Sequence, residues 1–217
     1  MSATLPYVWM DVTATAKLDV PGAPPAVKRS DSISGLGDIV LMPLMLNYKL
    51  NPDLNINFRL AAYAPTGSYE VGQLANTGKN FWTMEPTLAV MYFGQENGIE
   101  ASLFLGSDFN WENPDTNYKS GTQAHLDGTL AQHFPLWGGF AGVGVNGYWY
   151  EQVEGDSGSA AKFGDFKGRT AGLGPVLSYA TKIDGKDFIA EVKWLHEMET
   201  RKRIEGDYLW LKALIKL

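Results

Sequence analysis

Residues 81–93 read Phe-Trp-Thr-Met-Glu-Pro-Thr-Leu-Ala-Val-Met-Tyr-Phe. On a strand, successive side chains point to opposite faces. One face then carries Trp82, Met84, Pro86, Leu88, Val90 and Tyr92, and the other Thr83, Glu85, Thr87, Ala89 and Met91. The first face is aliphatic in the middle with an aromatic at each end. This is the pattern of a strand crossing a bilayer, with Trp and Tyr at the two headgroup levels. The second face carries a carboxylate, which is costly in hydrocarbon and must meet protein or water. A half-buried strand of a soluble sandwich also alternates, so recurrence along the chain decides the reading.

The pattern does recur. About ten strands are expected, at roughly 5–20, 38–50, 54–65, 81–93, 99–112, 122–134, 139–153, 169–182, 187–199 and 207–217. In the third, Leu54, Ile56, Phe58, Leu60 and Ala62 oppose Asn55, Asn57 and Arg59. In the fifth, Ile99, Ala101, Leu103 and Leu105 oppose Glu100, Ser102, Asp108 and Asn110. Next, Leu126 and Leu130 oppose Gln123, His125, Asp127 and His133. Phe188, Ala190, Val192 and Trp194 then oppose Glu191, Lys193 and Glu197, and Leu209, Leu211, Ala213, Ile215 and Leu217 oppose Lys212 and Lys216. Aromatics gather at strand ends: Tyr48, Trp82, Tyr92, Trp111, Trp137, Trp149 and Tyr179. Several strands are longer than the roughly 5–6 residues usual in soluble sheets.

Connections alternate in length. Short ones hold Asn51-Pro52-Asp53, Gln95-Glu96-Asn97-Gly98, Pro135-Leu136-Trp137-Gly138 and Asp184-Gly185-Lys186, residues that tight turns require. The others, at 21–37, 66–80, 113–121, 154–168 and 200–206, are longer and polar. Short periplasmic turns alternating with long outer loops are the layout of an outer-membrane barrel. The expectation is therefore one all-β domain over residues 1–217, an antiparallel up-and-down transmembrane β-barrel of about ten strands.

Composition narrows the field. The chain has 217 residues, no cysteine and a net charge of −6. This excludes disulfide frameworks, thiol catalysis and Cys-based zinc sites, and no basic stripe points to nucleic acid. Mean hydropathy of −0.17 is compatible with a barrel, because lumen and loop residues offset the lipid face. The start, Met1-Ser2-Ala3-Thr4-Leu5-Pro6, has no signal-peptide pattern.

His125, Asp127 and His133 share one strand face, with Ser102 on a neighbouring strand. No nucleophile motif supports catalysis there, and spacing supplies no third metal ligand, so neither an enzyme nor a cofactor is expected. Arg59, Thr83, Glu85, Glu100, Asp108, His125, Asp127, Glu191, Lys193 and Lys212 are instead read as lining a lumen or substrate path. Pro65 and Pro86 lack a ladder donor and are read as bulges. Glu154, Asp156 and Asp165, with Ser157 and Ser159, are read as a solvated outer loop. Arg201-Lys202-Arg203 is either a solvated charge run or a contact for lipopolysaccharide.

From Ser34-Gly35-Leu36-Gly37-Asp38 and Pro43-Leu44 onward the chain resembles a known family. The likeness continues through Pro65-Thr66-Gly67-Ser68-Tyr69, Gly78-Lys79-Asn80-Phe81-Trp82-Thr83 and Glu85-Pro86-Thr87. Asn110, Asn113, Thr116, Tyr118, Ser120 and Gly121 also fit. So do Gly147-Tyr148, Tyr150, Gln152, Asp156-Ser157-Gly158, Gly172, Gly174, Pro175, Glu191, Arg203 and Gly206. The family is the "Putative MetA-pathway of phenol degradation" group, and the likeness covers about 34–217. It implies a monomeric barrel channel of the bacterial outer membrane, embedded in outer-membrane lipid and lipopolysaccharide, that passively takes up small hydrophobic or aromatic molecules. Members usually have twelve strands, so this chain is expected to lack the signal peptide and the first two strands. It then either closes narrowly as ten or leaves two edges. The final Leu217 departs from the Phe that commonly ends such barrels. Two alternatives stay open: a soluble lipocalin-like barrel binding a hydrophobic ligand, and a structural outer-membrane barrel without an open pore.

Overall fold

Alternating side-chain polarity makes strands wherever turn residues punctuate it, and the molecule is built almost wholly of such strands. The computed structural model describes residues 2–16, 27–162, 167–203 and 205–215. These form β1 (Ser2–Thr4), β2 (Tyr7–Ala16), β3 (Val27–Leu36), β4 (Ile39–Lys49), β5 (Leu54–Ala64) and β6 (Thr83–Phe93). There follow β7 (Ile99–Asn110), β8 (Gln123–Leu136), β9 (Gly139–Gln152), β10 (Arg169–Ile183), β11 (Lys186–Arg201) and β12 (Asp207–Ile215). The main sheet is ten-stranded and antiparallel, in the order β1-β4-β5-β6-β7-β8-β9-β10-β11-β12. Its all-β class and its strands from β4 onward match the sequence expectation closely. Two of the short turns close as Trp137-Gly138 and Asp184-Gly185, each pair at positive φ (47° and 77°; 50° and 77°). These conformations match the twist of a tight hairpin.

The front of the chain departs from expectation. Of the strand expected at 5–20, the described residues 5–16 supply none to the main sheet, and 27–36, expected within a loop, form a strand; 17–26 lie outside the described residues. Instead β2 and β3 pair with each other in a separate two-stranded sheet. The registers Thr4↔Val40 and Tyr7↔Leu36 show why. β1–β2 and β3–β4 are two arms of one long hairpin, interrupted where Pro6 offers no amide and Gly37 donates to the Pro6 carbonyl at 2.9 Å. Only Ser2–Thr4 reaches β4 inside the main sheet.

Closure also departs from expectation. Among the described residues β1 and β12 do not pair, so the ten-stranded sheet is open. β12 is exposed along its whole length, and β4 beyond Met42 has a partner only in β5. The sheet nonetheless curls, since a single cavity is lined by residues from every strand between β5 and β12.

Pro86 is not a bulge. The registers Met84↔Phe109 and Thr87↔Gly106 are continuous across it, so it costs ladder bonds without shifting the strand. Pro65 follows the end of β5 and lies outside the ladder. Register shifts occur instead between Leu41 and Leu44, at Pro43, and between Ala171 and Gly172.

Polarity is inverted relative to a soluble protein. Leu88, Leu130 and Leu177 on the convex face are 48%, 58% and 54% exposed, whereas Thr83, Asn146 and Glu197 on the concave face are exposed by only 1%, 1% and 2%. Apolar burial on the inside is confined largely to small residues such as Ala61, Ala89 and Ala131.

Candidate functional site

All ten residues read as lumen candidates lie on strands whose parity turns them to the concave face. Two cavities occupy that face. The one nearer the long connections has a volume of about 450 Å³ and the one nearer the short turns about 720 Å³. Asp127, Glu191, Lys193 and Lys212 line both. They therefore form a charged waist between two chambers. Its charge is balanced, two acids against two bases, and Lys193 Nζ lies 3.6 Å from Glu191 Oε1. The register Glu191↔Lys212 brings the third member alongside. Asp127 is held from the other side by Asn146 Nδ2, at 3.3 Å.

The chamber nearer the loops is aromatic. Tyr148 and Tyr150 of β9 and Tyr208 and Trp210 of β12 line it. The rings of Tyr148 and Tyr208 meet edge to face at 6.4 Å, and the Arg203 guanidinium sits 3.9 Å from the centre of the Tyr150 ring. Sequence reasoning missed this set, although Tyr208 and Trp210 share parity with Lys212, itself read as a lumen residue. Arg203 is thus turned inward onto a ring and does not stand free in an outer loop.

The remaining candidates divide into groups. Arg59 donates to Asn57 Oδ1 at 2.6 Å and lies 5.1 Å from the Phe104 ring centre. Thr83 donates to Asn110 Oδ1 at 2.7 Å. Glu100 pairs with His133 Nε2 at 2.7 Å in the second chamber. Glu85, Asp108 and His125 come together on three adjacent strands. The two histidines read together in sequence therefore serve different neighbours, and Ser102 faces Thr129 across the ladder, away from His125.

Around the mouth, loops are pinned to one another by buried polar groups. Asp38 accepts from the amides of Gly67 (3.0 Å) and Lys79 (2.8 Å). A Cβ on Gly67 would come within 2.7 Å of Gly78 backbone, so this crossing requires glycine. Asn113 Nδ2 donates to the Lys79 carbonyl at 3.2 Å. Asp156 accepts from the Tyr118 hydroxyl, from the Gly121 amide and from Gln152. Burial and the bonded Asp156 carboxylate push the Tyr118 phenol up to about 12. Asp156 is thus a strut and not a solvated loop charge; Glu154 holds the Thr122 hydroxyl, and Asp165 lies outside the described residues. Many residues that carry the family resemblance, Asp38, Gly67, Lys79, Asn113, Tyr118, Gly121 and Asp156 among them, are parts of these struts.

The family model described as "Putative MetA-pathway of phenol degradation" matches residues 1–213, which extends the likeness to the front of the chain. No curated protein and no solved structure matches. By a family match over nearly its whole length, on a curled antiparallel sheet with a polar interior, the chain belongs to the Putative MetA-pathway of phenol degradation family.

Proposed function

We propose that this protein is a passive channel of the bacterial outer membrane that admits small hydrophobic or aromatic molecules and does no chemistry on them. The observation that carries the reading is the inverted polarity: a girdle of exposed Leu, Val and Trp around an interior of Asn, Thr, Glu, Lys and Tyr. A bilayer is the solvent that suits such an outer face. A lipocalin-like container would need apolar walls inside, so the same observation weighs against the soluble alternative. Within the lumen, Tyr148, Tyr150, Tyr208 and Trp210 offer ring faces to an aromatic solute, and the waist of Asp127, Glu191, Lys193 and Lys212 presents no net charge to repel a neutral one. Outer-membrane lipid and lipopolysaccharide are the proposed surroundings, and the monomer the proposed unit. In a bilayer the edges at β4 and β12 must be covered, since unpaired backbone groups cost several kcal/mol each in hydrocarbon.

The test joins extraction to conductance. The protein should resist high-salt washing of outer membranes and require detergent. In planar bilayers it should give discrete conductance steps that a phenol-class solute reduces. Stable insertion with no conductance would favour a structural barrel without a pore. Release by salt alone would favour the soluble container.

A further inference from the structure

Glu85, Asp108 and His125 come from three different strands, and pairing places them at one point on the lumen wall. The registers on either side, Met84↔Phe109 and Thr87↔Gly106, set Glu85 directly opposite Asp108. Two carboxylates facing each other across a ladder repel unless a proton or a cation lies between them. His125 closes the third side: its Nε2 is 3.6 Å from Glu85 Oε1 and 4.0 Å from Asp108 Oδ1. One donor atom from each residue falls within 4.8 Å of the other two. Two donors bound to one tetrahedral ion at about 2.1 Å each lie about 3.4 Å apart, and the 3.6 Å and 4.0 Å separations from His125 Nε2 approach that value.

Two further features fit an ion. The imidazole lies flat against β7 because position 106 is glycine, where a Cβ would stand 2.3 Å from His125 Cε1 and 2.4 Å from Nε2. Glu85 is oriented from behind: the Tyr63 hydroxyl donates to Oε2 at 2.5 Å and the Thr87 hydroxyl to Oε1 at 3.0 Å. Such outer partners hold ligating carboxylates in known metal sites. Among the described residues no lysine or arginine forms a direct ion pair with either carboxylate, although Lys79 attracts Asp108 at longer range. Arg59 is on Asn57 and the Phe104 ring, and Lys79 Nζ stands 5.1 Å and 5.6 Å from the ring centres of Tyr63 and Phe81. Among the described residues, His125 is the only ion-pair partner of either carboxylate.

We propose that Glu85, Asp108 and His125 form a binding site for one divalent transition-metal ion in the lumen wall. One imidazole and two carboxylates select zinc, cobalt, manganese or iron over magnesium or calcium, which prefer all-oxygen shells. Two negative charges and a neutral imidazole balance a divalent ion with no net charge left over, and the ion replaces the repulsion between Glu85 and Asp108 with a shared bond.

Zn²⁺ titration of the full chain, folded in detergent and stripped with chelator, tests this by calorimetry, with Co²⁺ absorption reporting imidazole coordination. One Zn²⁺ per chain is expected, unmatched by Mg²⁺. The Glu85→Gln, Asp108→Asn, His125→Ala variant should lose it. Tyr63→Phe keeps all three donors and should weaken binding about 10-fold. His133→Ala alters the other histidine–glutamate pair in the lumen and should leave binding unchanged. Absence of stoichiometric Zn²⁺ binding to the wild-type chain overturns the site, as does binding that follows His133 instead of His125. Because binding is read apart from transport, neither outcome bears on the channel reading.

Discussion

The Tyr148 hydroxyl donates to Glu197 Oε1 at 2.7 Å, spanning from β9 to β11 across the intervening strand β10. It does so over Gly172, where a Cβ would meet Tyr148 Cε1 at 2.5 Å. Glu197 is almost wholly enclosed and also accepts from the Thr170 hydroxyl at 2.9 Å and the Gly206 amide at 2.7 Å. Replacing it with Ala takes the shared acceptor from three donors, of which Thr170 keeps a contact with Thr200 Oγ1 at 3.1 Å, and we expect a loss of about 3–5 kcal/mol. Tyr148→Phe removes one bond and should cost about 1–2 kcal/mol. Urea unfolding from lipid vesicles measures both; equal costs would contradict the shared acceptor.

Leu88 lies on the convex face near the middle of β6, with Leu105 opposite it. Leu88→Arg should cost roughly 2–4 kcal/mol of folding free energy in lipid if the residue sits near the midplane. The neighbouring Thr87 faces the lumen, and Thr87→Ser should be nearly neutral. A neutral Leu88→Arg in vesicles would count against the assignment of faces.

The connections at 66–80 and 154–168 should face the cell exterior. Gln73 and Ser159 are exposed, and a cysteine introduced at either should react with an impermeant maleimide on intact cells. Reaction only after the outer membrane is broken would invert the topology.

Acid should release the hairpin of β2 and β3 from the neighbouring loop. Asp31 accepts from the amides of Leu74 (3.0 Å) and Ala75 (3.1 Å), and Arg29 reaches the Gly72 carbonyl at 2.8 Å. The Ala75 amide foremost, with those of Leu74 and Ser32, holds the Asp31 carboxyl below its ordinary value of 3.8. A depressed folded pKa stabilises the clasp fully above that ordinary value, and the stabilisation fades as pH falls through the folded one. Limited proteolysis within 66–80 should therefore accelerate below about pH 4, and Asp31→Asn should abolish that dependence.

β12 should be softer than the interior strands of the main sheet. It pairs only with β11, whereas β9 is paired on both sides. In detergent, amide exchange should be fast at alternate residues of 207–215 and slow through the middle of β9. Uniform protection of β12 would mean that another strand covers it.

Side-chain parity explains how much of this could be read from sequence. Whether Glu85 and Leu88 face in or out is a local matter of period two, and the run at 81–93 shows it without any partner. The turn at Asp184-Gly185 is equally local, because the residues themselves tolerate positive φ. The aromatic chamber is legible by the same rule, since one parity runs through Tyr148 and Tyr150 and another through Tyr208 and Trp210.

What the sequence by itself determined is therefore the all-β class, the strands from β4 to β12 and the face each residue presents. Only the tertiary structure decided which inward residues meet. Glu85, Asp108 and His125 lie far apart in sequence and converge because the register of β6 on β7 and of β7 on β8 sets their relative heights. Register is a property of pairs of strands, fixed by turn geometry and ladder bonds, and no single strand encodes it. The same holds for the front of the chain. Residues 7–16 have the composition of a strand, but the pairing of Thr4 with Val40 and Tyr7 with Leu36 is what lifts them out of the main sheet and leaves its two edges apart.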